Sequence, residues 1–273
     1  MMNLNSTKQN KKRSSLNSGL DVLESIASQH RPLTLTEIAT CVDMSKSSVH
    51  QLLATLEKRG FTKRSADQRY SIGIKAWEIG CVAAPIELAR VAAPHMANLV
   101  RETNDGVSLG ILDGAEMVCI HLIESPRAVR VHSSIGDRTP AHCVSSGLAV
   151  LSTMDNETVS KLLPDKLQRS TDDTIIERGT LIKELIRVRG RGYAVSRGAW
   201  RVDVAGVSVP ICGLDGRAVA ALCIAAPRFR VHKEWIDTVV PNIKSAVQSI
   251  ERDLGVSAGD ANARMRAATS QAG

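Results

Sequence analysis

The stretch MSKSSVHQLLATLEKRGF, residues 44–61, sets Val49, Leu52, Leu53 and Leu56 at the three-to-four spacing that gathers side chains on one side of a helix. Ser45 is placed to cap its start and Gly60 to stop it. With that stripe turned inward, Lys46, Ser47, Ser48, His50 and Gln51 lie on or beside the outer face of the first two turns. Such a helix serves equally as scaffold or as a reading head for the DNA major groove, and its neighbours decide between the two.

Two patterned segments precede it. In LNSGLDVLESIAS, Leu16, Leu20, Leu23 and Ile26 form one helix face, with Asn17 or Ser18 available as the cap. In RPLTLTEIATCV, Thr34 or Thr36 caps a shorter helix that has Glu37 in its first turn and Leu35, Ile38, Ala39 and Val42 on its apolar side. Three short helices with a tight DMS connection before the last describe a helix-turn-helix. FTKRSADQRYSIG then alternates around a polar turn at 65–68, which reads as a β-hairpin wing anchored by Phe61 and Tyr70.

Charge supports the DNA reading. Residues 1–75 carry twelve Lys and Arg against six Asp and Glu, whereas the rest of the chain carries 23 against 22. A basic module beside a nearly neutral one suits a unit that meets a polyanion joined to a unit that meets something else. On the reading helix, Lys46 and Gln51 have the reach for base edges, His50 shares their face, and the short hydroxyls of Ser45, Ser47 and Ser48 let the backbone approach phosphates. Arg64 and Arg69 in the wing, and Lys11, Lys12 and Arg13 in a disordered basic arm (1–14), are expected to add phosphate or minor-groove contacts. Lys58 and Arg59 serve the helix dipole at least as well as DNA.

Several classes are disfavoured. No apolar run has the length of a membrane span, and the polar start has no apolar signal core, so a cytoplasmic location without membrane attachment is expected. The six cysteines are scattered without a Cys-x-x-Cys pair, and the histidines lack a metal-binding spacing, so neither a disulfide framework nor a metal is expected. No phosphate-cradling glycine loop calls for a cofactor.

Beyond the winged helix-turn-helix (15–73), residues 74–84 read as a linker helix with Trp77 and 79–82 as apolar contacts. A long helix follows from Pro85, with Pro94 marking a kink or break. GVSLGILDG, EMVCIHLIE and AVRVHSS are β-branched runs that read as strands. A loop, IGDRTPAHC, leads to helices at VSSGLAVLSTM, NETVSKLL and TIIERGTLIKELIRVRGRG. Strands at YAVSR, VAGVSVPICG and AVAALCIAAP, the last two joined by a turn at 214–217, and a final helix from Lys233 complete the domain (85–255), leaving 256–273 as a disordered tail. The fold class is α+β, of the sensor-domain kind.

Residues 16–255 resemble an IclR-type bacterial transcriptional regulator in both domains and in order. LTEIATCVDMSKSSVHQLLATLEKRGF is similar to that family's winged helix-turn-helix, RTPAHCVSSGLAVLS to its loop and helix beside the effector pocket, and RGYAVSRGAWRVDVAGVSVPICGLDGRAVAALCIAAP to its C-terminal strand trio. The resemblance implies a GAF-like (profilin-like) effector-binding domain for a small organic molecule, often a carboxylic or aromatic acid. It also implies a homodimer or homotetramer on palindromic double-stranded DNA. Carried over by position, the pocket sites fall on Val144, Ser145, Ser146, Ser196, Gly206, Cys223 and Ala225. A helix start at 145–147 suits an anion, and Cys223 with Ala225 alternates onto one strand face. Leu148 stands where the family often has Lys, and Ala199 near an acidic position, which implies a less charged rim or interface. Arg127, Arg130 and Arg138 have the chemistry to hold a carboxylate, or serve as solvated loop arginines.

Two other readings compete. Asp137, His142 and Cys143 have the residue types of a thiol-dependent enzyme, although sequence neighbours point in different directions. A neutral domain without a formed pocket would instead be a protein-docking module.

Overall fold

The computed structural model describes residues 14–29, 31–80 and 84–256. The chain divides into two compact units, 1–83 and 84–273. Arg13 and most of the basic arm, the residues 81–83 of the linker, and residues 257–273 lie outside the described residues.

In the first unit, α1 (Ser15–Ser28), α2 (Leu35–Cys41) and α3 (Lys46–Lys58) pack around Val22, Ile26, Ile38, Val49 and Leu53. Burying Val49 and Leu53 contributes about 1.5–3 kcal/mol each. Two details of α1 differ from expectation. Ser14, not Asn17 or Ser18, caps it by accepting from the Asn17 N–H. Its buried face is Ser18, Val22 and Ile26, leaving Leu16 70% and Leu20 47% exposed. The small Ser18 is what allows close packing where a leucine would hold the helix off.

Thr34 caps α2 in a complete capping box: its N–H donates to Glu37 Oε2 at 2.7 Å, and Glu37 N–H donates to Thr34 Oγ1 at 3.3 Å. Gly60, at φ 77°, ends α3 in a Schellman arrangement, with Gly60 N–H donating to Glu57 O and Phe61 N–H to Leu56 O. The wing gains a strand the sequence did not suggest: β1 (Leu33–Thr34) joins β2 (Thr62–Arg64) and β3 (Arg69–Ile72) in the order β1-β3-β2. Tyr70 is buried and Phe61 half-buried. The linker is helical over α4 (Ile74–Gly80), but Ile79 is 54% exposed rather than packed.

In the second unit, one six-stranded antiparallel sheet runs β6-β5-β4-β9-β8-β7, from β4 (Gly106–Asp113), β5 (Glu116–Ile123), β6 (Arg138–Pro140), β7 (Ala194–Arg197), β8 (Val204–Cys212) and β9 (Ala218–Pro227). Val107 and Leu109, Val207 and Val209, and Leu222 and Ile224 pack one face against α5 (Ala84–Thr103) and α9 (Lys233–Asp253). The other face carries α6 (Ser145–Leu151), α7 (Asn156–Leu162) and α8 (Arg178–Arg191), through Leu151, Val159, Leu185 and Ala221.

Four expectations are corrected here. Helix α5 runs unbroken through Pro94. Residues 128–134 form no strand and are largely exposed; their alternation meets no sheet neighbour, since the outer partner of β5 is β6, in the stretch expected as loop. Helix α8 begins only at Arg178, because Glu177 is held in an extended bridge to Lys166. Val256 is buried, its N–H donating to Glu251 O, so the ordered unit outlasts the expected boundary at 255. No helix among the described residues is long and apolar enough to cross a membrane.

Candidate DNA-reading surface and effector cavity

Helix α3 exposes Lys46, Ser47, His50 and Gln51: Ser47 and Gln51 lie on the side opposite Val49, His50 lies on the flank, and Lys46, seven residues before Leu53, is exposed at the helix start. At its first turn three hydroxyls meet: Ser45 Oγ lies 2.9 Å from both Ser47 Oγ and Ser48 Oγ and accepts from Ser48 N–H at 3.2 Å. They are short enough for a phosphate to reach the helix end, where unsatisfied N–H groups favour an anion. Lys46 and Gln51 rise beyond them on longer stems.

The wing arginines part ways. Arg64 is exposed, its guanidinium 5.5 Å from the Tyr70 ring centre, within range of a cation–π contact. Arg69, expected to add a phosphate or minor-groove contact, has carboxylate partners within the unit. Its Nη1 sits 3.5 Å from Glu37 Oε2 and its Nε 3.4 Å from Asp67 Oδ2, bracing the wing to α2. Glu37 is held well below its usual 4.5, at about 2, first by the Thr34 N–H, then by the Thr34 hydroxyl and Arg31.

The second unit holds a cavity of about 150 Å3, and all seven positions suggested by resemblance line it: Val144, Ser145, Ser146, Ser196, Gly206, Cys223 and Ala225. Strand register explains its depth. Ser196 pairs with Gly206, Gly206 with Ala225 and Ala225 with Gly106, so one row across four strands is serine, glycine, alanine and glycine. The next row is Ser208, Cys223 and Ser108. Small side chains over two rows leave the space that valine, isoleucine and leucine fill on the opposite face.

Hydrogen bonds fix this floor. Ser145 Oγ and Ser208 Oγ are 2.8 Å apart, and the Ser196 hydroxyl donates to Cys143 O at 2.7 Å. A Cβ on Gly206 would stand 2.9 Å from Ser145 Oγ and 3.4 Å from Cys223 Sγ. The start of α6 is closed on one side, where a Cβ on Gly147 would fall 2.0 Å from Ala141 O. Burial, with Asp137 and Cys223 nearby, pushes the Cys119 thiol up to about 11, so it stays neutral.

Sequence reasoning missed Trp200, Arg201, His132, Thr139, Met117 and Ser108, which also line the cavity. They sit in loops or at strand positions whose alternation carries no ligand signature. Leu148, expected at the rim or an interface, is 4% exposed in the core beneath α6. The three arginines weighed as carboxylate holders have protein partners: Arg127 with Asp105, Arg130 with Glu124, Arg138 with Asp113 and Glu116.

Asp137, His142 and Cys143 form no relay. His142 Nε2 lies 2.9 Å from Gln168 O, Cys143 Sγ lies 3.7 Å from Ser170 Oγ, and Asp137 accepts from Ser134 N–H at 2.7 Å. Burial also raises the Cys143 thiol, the opposite of what a nucleophile needs. No group of His, Cys, Asp or Glu that could hold a metal occurs among the described residues.

A winged helix-turn-helix followed by a pocket-bearing α+β unit is the build of a two-domain transcription regulator. Residues 15–66 match the IclR helix-turn-helix domain and residues 80–252 the family described as bacterial transcriptional regulator IclR C-terminal; the chain belongs to the IclR family. It is 30% identical over 230 residues to the HTH-type transcriptional regulator KdgR of Escherichia coli (strain K12), covering 83% of this chain and 88% of that one. To the regulator KipR of Bacillus subtilis (strain 168) it is 29% identical over 229 residues, covering 83% and 92%. The crystal structure of Thermotoga maritima IclR superposes with a TM-score of 0.74 at 27% identity, over 88% of this chain and 98% of that one. An IclR homolog from Microbacterium hydrocarbonoxydans, complexed with 4-hydroxybenzoate, shares the fold at a TM-score of 0.79 and 24% identity, over 89% of this chain and all of that one.

Proposed function

We propose that the protein is a cytoplasmic regulator that reads a palindromic operator as a homodimer or homotetramer, and that a small organic effector, a carboxylic or aromatic acid, modulates its affinity for DNA. The observation that carries the effector reading is the convergence of Val144, Ser145, Ser146, Ser196, Gly206, Cys223 and Ala225 on one cavity. Its volume of about 150 Å3 suits a body the size of a benzene ring. That the same fold holds 4-hydroxybenzoate in the Microbacterium homolog is in keeping with this.

The effector acts by altering, through residues 74–84, the distance and tilt between the two recognition helices of an oligomer, whose half-sites must match the helical repeat of about 34 Å. Lys46, His50 and Gln51 read bases; Ser45, Ser47, Ser48, Arg64 and, in the arm, Arg13 contact phosphates, while Arg69 contributes by holding the wing.

Footprinting on the DNA upstream of the protein's own gene, with and without small acids, tests this. Salt-sensitive, sequence-preferring protection that changes with an acid is the expected result, and protection that no acid alters removes the effector reading. Gln51→Ala is expected to relax sequence preference, and Arg64→Ala to weaken all sequences and lower the salt slope by about one. Equal weakening of all sequences by Gln51→Ala overturns the assigned orientation of α3.

A further inference from the structure

The ionisable residues lining the cavity are not equivalent. Asp137 is already satisfied by the Ser134 N–H and lies 3.3 Å from the Ser133 hydroxyl. Arg201 lines the same cavity, is exposed, and has no hydrogen-bond or carboxylate partner for its guanidinium among the described residues. It follows Trp200, which is half-buried and also lines the cavity. An aromatic wall inside and an unsatisfied cation beside it form a complete recognition element for an aromatic anion.

The segment that carries this pair is held at both ends. Gly198, at φ 72°, donates its N–H to Val204 O at 2.8 Å, and Val204 N–H donates to Arg201 O at 3.1 Å. The Thr171 hydroxyl donates to Gly198 O at 2.6 Å and the Thr174 hydroxyl to Ala199 O at 2.8 Å. Arg228 N–H donates to Asp203 O at 2.7 Å. A loop anchored in this way presents its side chains with little ordering left to do on binding.

We propose that Arg201 selects the effector by charge, pairing with the carboxylate of a single-ring aromatic monocarboxylate whose ring lies against Trp200 over the floor of Gly206, Cys223 and Ala225. This rests on the effector reading above and adds to it the residue that separates an acid from its neutral isostere. Gly206 and Ala225 bring no charge to the floor, and burial keeps the neighbouring Cys119 thiol neutral by pushing it up to about 11. Arg201 is thus placed to meet an anion beside a floor of small and hydroxyl side chains, with Asp137 as the one competing carboxylate among the lining residues.

Ligand-observed NMR titration of the full-length protein with benzoate and with benzamide, which differ in charge and hardly in shape, tests the assignment. In low salt the native protein is expected to prefer benzoate, and Arg201→Gln to weaken benzoate by about tenfold while moving benzamide by about twofold or less. Arg201→Lys, which keeps the charge and loses the fork, is expected to recover part of the preference. If both probes bind and Arg201→Gln leaves their ratio unchanged, or weakens both alike, the Arg201 assignment is overturned while the cavity reading stands. If neither probe binds the native protein, the single-ring effector reading fails and this assignment with it.

Discussion

Gly206 shows how much one missing side chain decides. It sits in the register row Ser196–Gly206–Ala225–Gly106, and an added Cβ would meet Ser145 Oγ at 2.9 Å, inside the contact distance that real Cβ atoms keep. The Ser145 hydroxyl has no easy retreat, since it is buried and bonded to Ser208. Gly206→Ala is expected to cost about 1–3 kcal/mol, as overpacking does, seen in the urea midpoint. It should also weaken benzoate binding by narrowing the floor. A variant as stable as the native chain, with the same affinity, contradicts this account of the cavity. Cys223 and Ala225 were legible because strand alternation and the family likeness point to the same side of β9, whereas Gly206 was legible from the likeness alone. Trp200 and Arg201 were not, because a loop has no period, and only the hydrogen bonds that anchor it turn its side chains toward the cavity.

At the scale of elements, the sequence was most informative where capping chemistry and periodicity agreed. Thr34, Glu37, Ser45 and Gly60 mark the limits of α2 and α3, and the structure uses each of them as a cap or stop. The face of α1 was misread because Leu16 and Leu20 satisfy the same spacing as Val22 and Ile26, and the choice is made by what α3 offers opposite. The run at 128–134 was misread for a related reason: alternation signals a strand only when a partner lies alongside.

The capping box also makes a pH prediction. Glu37 titrates near 2 when folded against its usual 4.5, so its carboxylate contributes stability above about pH 4.5 that is lost as the pH falls toward 2. Amide-exchange protection of α2 and α3, corrected for intrinsic rates, is expected to decline over that window in the native protein. Glu37→Gln should start lower and decline less. Parallel profiles for the two proteins would show that the carboxylate is not what holds α2 and the wing together.

For the whole molecule, the separation of charge matters more than its total of +7, since residues 1–75 hold twelve cations against six anions and the remainder is almost balanced. The charge division is legible in the sequence, and the boundary between the two compact units falls a few residues beyond it in the chain, at 83–84. Sequence is silent on distances between copies of a chain, because these depend on surfaces that no periodicity encodes. The proposed oligomer nevertheless fixes one distance, the spacing of half-sites on one face of DNA. Inserting about five base pairs between the half-sites of a mapped operator turns them to opposite faces, whereas about ten restores the face at a longer reach. Gel-shift titration is expected to show loss of high-affinity binding with the first insertion and partial recovery with the second. The affinity that remains after the first should keep the steep salt dependence of phosphate contacts, because the basic unit still meets the backbone. Equal binding to all three operators is the result for a chain that reads a single half-site, and it would remove the spacing between recognition helices as the variable an effector adjusts.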